Sequence, residues 1–205
     1  MAISLTVNQL GYERNAQVII ANINFNLQAG EILQVTGGNG SGKTTLLRLL
    51  AGLIQPTVGE LTWCGQPFSI DRIAYQQALF YVGHKAGVKT ELSAYENLHL
   101  MTGLVKTHPA VSLRKALAQV ELENYADSYA YQLSAGQQRR LVLAKLLMVS
   151  AKLWILDEPF TALDTRGIQL FETFISQHLQ AGGMVILTSH QRYQLTDIVQ
   201  KQLLL

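Results

Sequence analysis

Glu31-Ile32-Leu33-Gln34-Val35-Thr36-Gly37-Gly38-Asn39-Gly40-Ser41-Gly42-Lys43-Thr44 begins as an apolar run and passes through a glycine-rich loop. It then continues into Leu46, Leu47, Leu49, Leu50 and Leu53 at helical spacing. Strand, glycine loop, helix is the setting that separates a phosphate-binding loop from a chance turn. Gly37, Gly38, Asn39, Gly40, Ser41 and Gly42 form the expected cradle, because glycines let the backbone curl until several N–H groups face one anion. The helix beginning at Lys43 adds the positive end of its dipole. Lys43 is placed to reach the β- and γ-phosphates of a nucleoside triphosphate, and Thr44 to offer its hydroxyl to Mg²⁺.

Further along, Leu153-Trp154-Ile155-Leu156 is apolar throughout, as a parallel strand covered on both faces requires. Asp157 and Glu158 end it, so both carboxylates are expected at the C-terminal edge of the sheet, where ligands collect in open α/β folds. Asp157 is positioned for the Mg²⁺ shell. Glu158 is positioned to orient and deprotonate an attacking water.

Alternation in Ile3–Asn8 and Ile23–Leu27 predicts two half-buried strands before the glycine loop. Glu60–Cys64, Leu79–Val82, Met184–Ser189 and Gln202–Leu205 add further strands. Between about Val88 and Met148 the pattern is mostly helical. Ser93-Ala94-Tyr95-Glu96 reads as a capping box, Ser112 as a second cap, and Gln138–Met148 as a third helix. Asp164 caps a helix ending near Gly182-Gly183. The fold class predicted is α/β: a phosphate-loop core with a mostly parallel sheet, an N-terminal antiparallel β part, and a helical insert over approximately 88–148. Residues 1–205 read as one domain, since the chain is too short for two well-buried ones.

Composition narrows the partners. Hydrophobic residues make up 48% and charged residues 15%, and the net charge is only +2. That balance gives no electrostatic case for nucleic acid, and it leaves an apolar surface share of the kind used in docking. Cys64 is the only cysteine, so no intramolecular disulfide or cysteine-cluster metal site can form. No signal-peptide pattern opens the chain. The most apolar stretch, Leu141–Leu156, is interrupted by Lys145 and Lys152 and is shorter than the ~20 residues of a spanning helix.

Leu133-Ser134-Ala135-Gly136-Gln137 adds a second glycine-containing turn at the head of the third helix. Taken with the phosphate loop and the acidic strand end, it resembles the signature sequence of the ATP-binding-cassette ATPase family, and the likeness covers nearly the whole chain. Ala135 stands where glycine is commoner. The resemblance implies ATP with Mg²⁺ as cofactors and a head-to-tail pair of copies. In that pair, Ser134, Gly136 and Gln137 of one copy would contact the nucleotide held by the other. It implies a dimer-contact loop at Ala162-Leu163-Asp164, a switch histidine at His190 acting with Glu158 and Lys43 in catalysis, and an adenine-stacking ring at Tyr12, in a loop after the first strand.

One departure sharpens the likeness. Where most members carry a glutamine after the strand Leu79–Val82, this chain has His84, in Gly83-His84-Lys85-Ala86-Gly87-Val88-Lys89. An imidazole cannot copy an amide's reach toward Mg²⁺. This stretch and the following Leu92-Ser93-Ala94-Tyr95-Glu96-Asn97-Leu98 look like the haem-exporter ATPase subunits of cytochrome c biogenesis. The short length, Gln34-Val35-Thr36 and Leu61-Thr62-Trp63 are similar too. That resemblance implies a peripheral subunit on the cytoplasmic face of the bacterial inner membrane, with integral membrane permease subunits of a cytochrome c maturation complex as partners and His84 in the coupling region. Neither nucleic acid nor direct contact with haem is expected. Three alternatives stay open at this point: the ATPase of another transporter with unknown cargo, a non-transport ATPase of the same fold acting on ribosomes or DNA, and an ATP-gated scaffold without turnover.

Overall fold

Five short strands, each near the length of an apolar run in the sequence, make one parallel sheet. They are β3 (Ile32–Thr36), β6 (Leu79–Val82), β7 (Leu153–Asp157), β8 (Met184–Thr188) and β9 (Gln200–Leu204), in the order β6-β7-β8-β3-β9. Every pairing in this sheet is parallel, which goes beyond the mostly parallel expectation. The computed structural model describes residues 3–84, 87–104, 112–191, 193–196 and 198–205.

Alternate strand residues feed two separate cores, because side chains of a strand point to opposite faces. Trp154, Leu156, Val185 and Leu187 face one core. It is built with α3 (Ala94–Thr102), α4 (Leu113–Gln119), α5 (Ala135–Met148) and α6 (Thr165–Gln180). Leu153, Ile155, Met184 and Ile186 face the other. There they meet α1 (Lys43–Leu50) and an antiparallel sheet of β1 (Ser4–Arg14), β2 (Gln17–Gln28), β4 (Val58–Trp63) and β5 (Gln66–Pro67), ordered β2-β1-β4-β5. The central strands β7 and β8 are thus covered on both faces, as their apolar runs require.

The expected caps form. Ser93 and Glu96 exchange both bonds of a capping box at α3, Ser112 accepts from the Lys115 amide, and Asp164 accepts from the Gly167 amide at α6. One helix was not anticipated: α2 (Arg72–Ala78), capped by Asp71. Only Tyr75 of that helix is buried, its hydroxyl donating to the Leu50 carbonyl, so no apolar periodicity announced it. β1 and β2 also run past their predicted ends. Register shifts between Val7 and Leu10, and again on both sides of Tyr12, interrupt the alternation that marks a strand. Among the described residues, no helix is long and apolar enough to cross a membrane.

Candidate functional site

The glycine loop sits between the end of β3 and the start of α1, where its backbone conformation demands glycine. Gly37, Gly40 and Gly42 have φ of 147°, 81° and 99°. A Cβ on Gly37 would fall 2.6 Å from Ser41 Oγ, and one on Gly42 would fall 2.8 Å from Ile20 Cδ1. Gly42 caps α1 without a side-chain acceptor, so the amides of the first turn are left for a ligand. Lys43 Nζ folds back to donate to the carbonyls of Gly37 at 2.8 Å and Gly38 at 2.9 Å.

Directly across lie the acids. Thr44 Oγ1 donates to Asp157 Oδ2 at 2.8 Å, and Thr188 Oγ1 donates to Asp157 Oδ1 at 2.9 Å. The Glu158 amide donates back to Thr188 Oγ1 at 2.9 Å. Glu158 itself has φ of 51°, and its Oε1 is buried with no hydrogen-bond partner. The His190 amide donates to Glu158 Oε2 at 3.3 Å, while His190 Nε2 lies 3.5 Å from Oε1. That approach is close enough for electrostatic contact but not aligned as a hydrogen bond. Asp157, Glu158 and His190 line a cleft of about 520 Å³ with Asn39, Gly40, Gly42, Lys43, Thr44, Thr45, Ile19 and His84.

Ser134, Gly136 and Gln137 are elsewhere. They open α5 with a capping box, the Gln137 amide donating to Ser134 Oγ and the Ser134 amide to Gln137 Oε1. With Glu121, Arg140, Ala162 and Asp164 they line a second cleft of about 540 Å³. Arg140 donates to both oxygens of Asp164 and pairs with Glu121, which also pairs with Arg166. The Gly167 amide and the Arg140 guanidinium hold the exposed Asp164 carboxyl below its usual range. A Cβ on Gly136 would lie 3.0 Å from the Ala162 carbonyl, so the signature turn packs against the loop before α6.

Among the described residues, the two clefts share no lining residue. One chain therefore presents the glycine loop with the two acids on one patch and the Ser134–Gln137 turn on another.

A model of the ABC transporter family matches residues 20–161. The chain belongs to the ABC transporter family. Over 187 residues it is 48% identical to the cytochrome c biogenesis ATP-binding export protein CcmA of Shigella flexneri, which covers 91% of this chain and 89% of that protein. Its identity to the CcmA of Escherichia coli (strain K12) is 47% over the same spans. A solved ATP-binding subunit of an ABC transporter shares the fold at a TM-score of 0.78 and 24% identity, over 91% of this chain and 79% of that one.

Two placements in this family member differ from, or extend, the reading of the sequence. Tyr12 is not in a loop: it lies within β1, opposite Ile20, and packs partly buried on the core beneath α1. The neighbour of its partner, Ile19, lines the glycine-loop cleft. His84 does reach that cleft, and it also lines a smaller one of about 190 Å³ with Arg139 and Ala162. Lys85 and Ala86 lie outside the described residues. The segment beyond is held by two buried side chains. Asn97 bonds the main chain of Lys89, Leu92 and Ser93, and Lys145 Nζ donates to the Gly87 carbonyl at 2.9 Å. Burial pulls the Lys145 ammonium down to about 8.

Sequence reasoning missed Ile19, Thr45, Thr188, Arg139 and Arg140. Thr45 follows Thr44 directly, and Arg139-Arg140 come one residue after Leu133–Gln137, so proximity alone was a usable signal for those three. Ile19 and Thr188 carry none: an isoleucine and a threonine in strands read as ordinary packing.

Proposed function

We propose that the chain is the ATP-hydrolysing subunit of an inner-membrane ABC complex serving cytochrome c biogenesis. Residues 1–205 act as one ATP-binding unit, with residues 88–148 as its helical part. ATP binding closes a head-to-tail pair of copies and hydrolysis reopens it. The observation that carries the pairing is the separation of the two clefts. Ser134, Gly136 and Gln137 do not line the cleft of their own Lys43 and Glu158, so they meet a γ-phosphate only when a second copy presents one. The near-half identity to CcmA over most of both chains carries the cytochrome c assignment.

Lys43 leaves the carbonyls of Gly37 and Gly38 for the phosphate chain, a swap of neutral acceptors for charged ones that favours bound nucleotide. The uncapped first turn of α1 and the loop amides take the remaining oxygens. Thr44 and Asp157 offer a hydroxyl and a carboxylate oxygen side by side, hard donors that suit Mg²⁺, an ion that keeps several of its waters. When bound, that ion neutralises charge on the β- and γ-oxygens.

Glu158 accepts the proton of the attacking water, its Oε1 standing buried and unpartnered beside the cleft. His190 orients that carboxylate from the end of β8 and contacts the γ-phosphate. Ser134 and the amides of Gly136 and Gln137 stabilise the charge from the second copy, the electrostatic contribution that dominates such reactions. Tyr12 stacks on the adenine beside Ile19. His84, Asp164 and the segment held by Asn97 and Lys145 pass closure to integral membrane permease subunits of a cytochrome c maturation complex at the cytoplasmic face. Haem is handled by those partners, and no nucleic acid takes part.

A mild-detergent pull-down with identification of copurifying proteins tests this assignment. Integral membrane subunits and cytochrome c maturation proteins are the expected company. Recovery with ribosomes or DNA instead would overturn it while leaving ATP hydrolysis intact.

A further inference from the structure

Behind the two acids lies a buried charge that hydrolysis as described leaves without a task. Arg139 is 5% exposed and sits near the start of α5, two residues after Gln137. Its Nε donates to the Pro159 carbonyl at 2.8 Å, and its Nη2 donates to the carbonyls of Asp157, at 3.4 Å, and Glu158. One guanidinium thus gathers three consecutive carbonyls at the end of β7. Burial lowers its pKa, and the charges of Asp157 and Glu158 oppose that shift. A charge is kept in such a place only where it is paired and hydrogen-bonded.

The middle residue of the three is in an unusual state. Glu158 has φ of 51°, in the left-handed region that side chains other than glycine seldom adopt. Such backbone persists where its surroundings over-determine it. Both ends of the Glu158 main chain are held: the amide by Thr188 Oγ1 and the carbonyl by Arg139. The side chain is held less, since Oε1 has no hydrogen-bond partner and Oε2 accepts only the His190 amide at 3.3 Å. The main chain beneath it therefore aims the carboxylate, and His190 holds it at the tip, its amide on Oε2 and its Nε2 3.5 Å from Oε1.

We propose that Arg139 is a positioning residue for Glu158, fixing the backbone conformation that aims the carboxylate into the phosphate cleft. The proposal rests on the reading of Glu158 as general base. It also gives the shared site an internal link. Ser134, Gly136 and Gln137 stand at the start of the helix that carries Arg139, so the turn that meets one copy's nucleotide and the anchor of the other site's base are parts of one rigid element. Seating a second copy's γ-phosphate on that turn loads the anchor of Glu158.

The test combines steady-state phosphate release with affinity for a fluorescent ATP analogue, on the full chain. Arg139→Met and Arg139→Lys are each made in the wild type and in Glu158→Gln. Methionine keeps much of the volume and donates nothing, whereas lysine keeps the charge but not the fork that spans three carbonyls. Arg139→Met is expected to lower kcat on the order of 10–100-fold with nucleotide affinity within about 2-fold, the split that marks a loss confined to the transition state. Arg139→Lys recovers part of that loss. In the Glu158→Gln background neither substitution lowers the residual rate further, because the group they aim is already disabled.

Wild-type kcat in Arg139→Met overturns the proposal. So does a parallel fall in kcat, nucleotide affinity and the residual Glu158→Gln rate, which is the mark of simple packing. If Arg139→Met fails to fold, Arg139→Lys must show the same split between kcat and affinity. If Glu158→Gln alone keeps the wild-type rate, the general-base reading fails and the proposal fails with it. If Glu158→Gln is slow and the Arg139 variants are not, only the role of Arg139 is lost.

Discussion

Thr188 Oγ1 donates to Asp157 Oδ1 across 2.9 Å, and the same oxygen accepts the amide of Glu158, also at 2.9 Å. One fully buried hydroxyl on β8 therefore orients the carboxylate proposed for the metal shell and fixes the main chain of the proposed base. Thr188→Val keeps the shape and removes both bonds, leaving a buried amide unsatisfied. That costs about 1–3 kcal/mol of folding stability, which a denaturant titration reads directly. The expected fall in kcat is larger than the stability loss explains, because two groups lose their orientation together.

Lys43 supplies the only cationic side chain that lines the proposed nucleotide cleft from the glycine loop or α1 among the described residues. Lys43→Ala is expected to weaken ATP binding by about 10–100-fold, the size of a lost charge-assisted contact of about 1.5–3 kcal/mol. Isothermal titration checks this. Since Lys43 bonds only loop carbonyls without ligand, the melting temperature of the unliganded chain should move little.

Gly42→Ala tests the loop itself. A side chain there must adopt φ of 99° and place its Cβ 2.8 Å from Ile20 Cδ1 and 3.1 Å from the Ile19 carbonyl. The expected cost is about 1–3 kcal/mol in stability. Nucleotide affinity falls as well, because relief of the clash reshapes the cap of α1. A variant that binds ATP as tightly as the wild type would show that the left-handed cap is dispensable.

These residues also show why part of the candidate site is legible in the sequence and part is not. The proposed roles of Gly37 to Thr44, Asp157-Glu158 and Ser134 to Gln137 rest on local geometry: a curled loop, a strand end, a helix start. Each leaves a pattern in a few adjacent positions. Thr188 and Ile19 act through partners far off in the chain, and a threonine that organises two acids looks like any strand threonine. Tyr12 was misplaced for a related reason. Bulges in β1 broke the alternation after Asn8, so a strand residue read as a loop residue.

The half-buried His178 gives the fold a pH dependence away from the site. Its ring stacks on Trp154 with centroids 3.9 Å apart, and Nε2 faces the Met184 carbonyl at 3.3 Å. Burial lowers its pKa from 6.5 to about 4, so the folded chain keeps it neutral where the unfolded chain protonates it. Between those two values the unfolded state binds more protons, and stability falls as pH falls. The contribution is complete above pH 6.5, is lost toward pH 4, and amounts to roughly 3 kcal/mol at most. Urea midpoints measured across that range should drop with acidity, and His178→Gln should flatten the slope while lowering the plateau. An unchanged slope would place the titrating group elsewhere.

The most direct test of a shared, Glu158-driven ATPase is the behaviour of Glu158→Gln with MgATP, followed by phosphate release and by size-exclusion chromatography with light scattering. Loss of nearly all turnover, together with an ATP-dependent shift from one copy to two, is the predicted result; hydrolysis at the wild-type rate by a chain that stays single would contradict it.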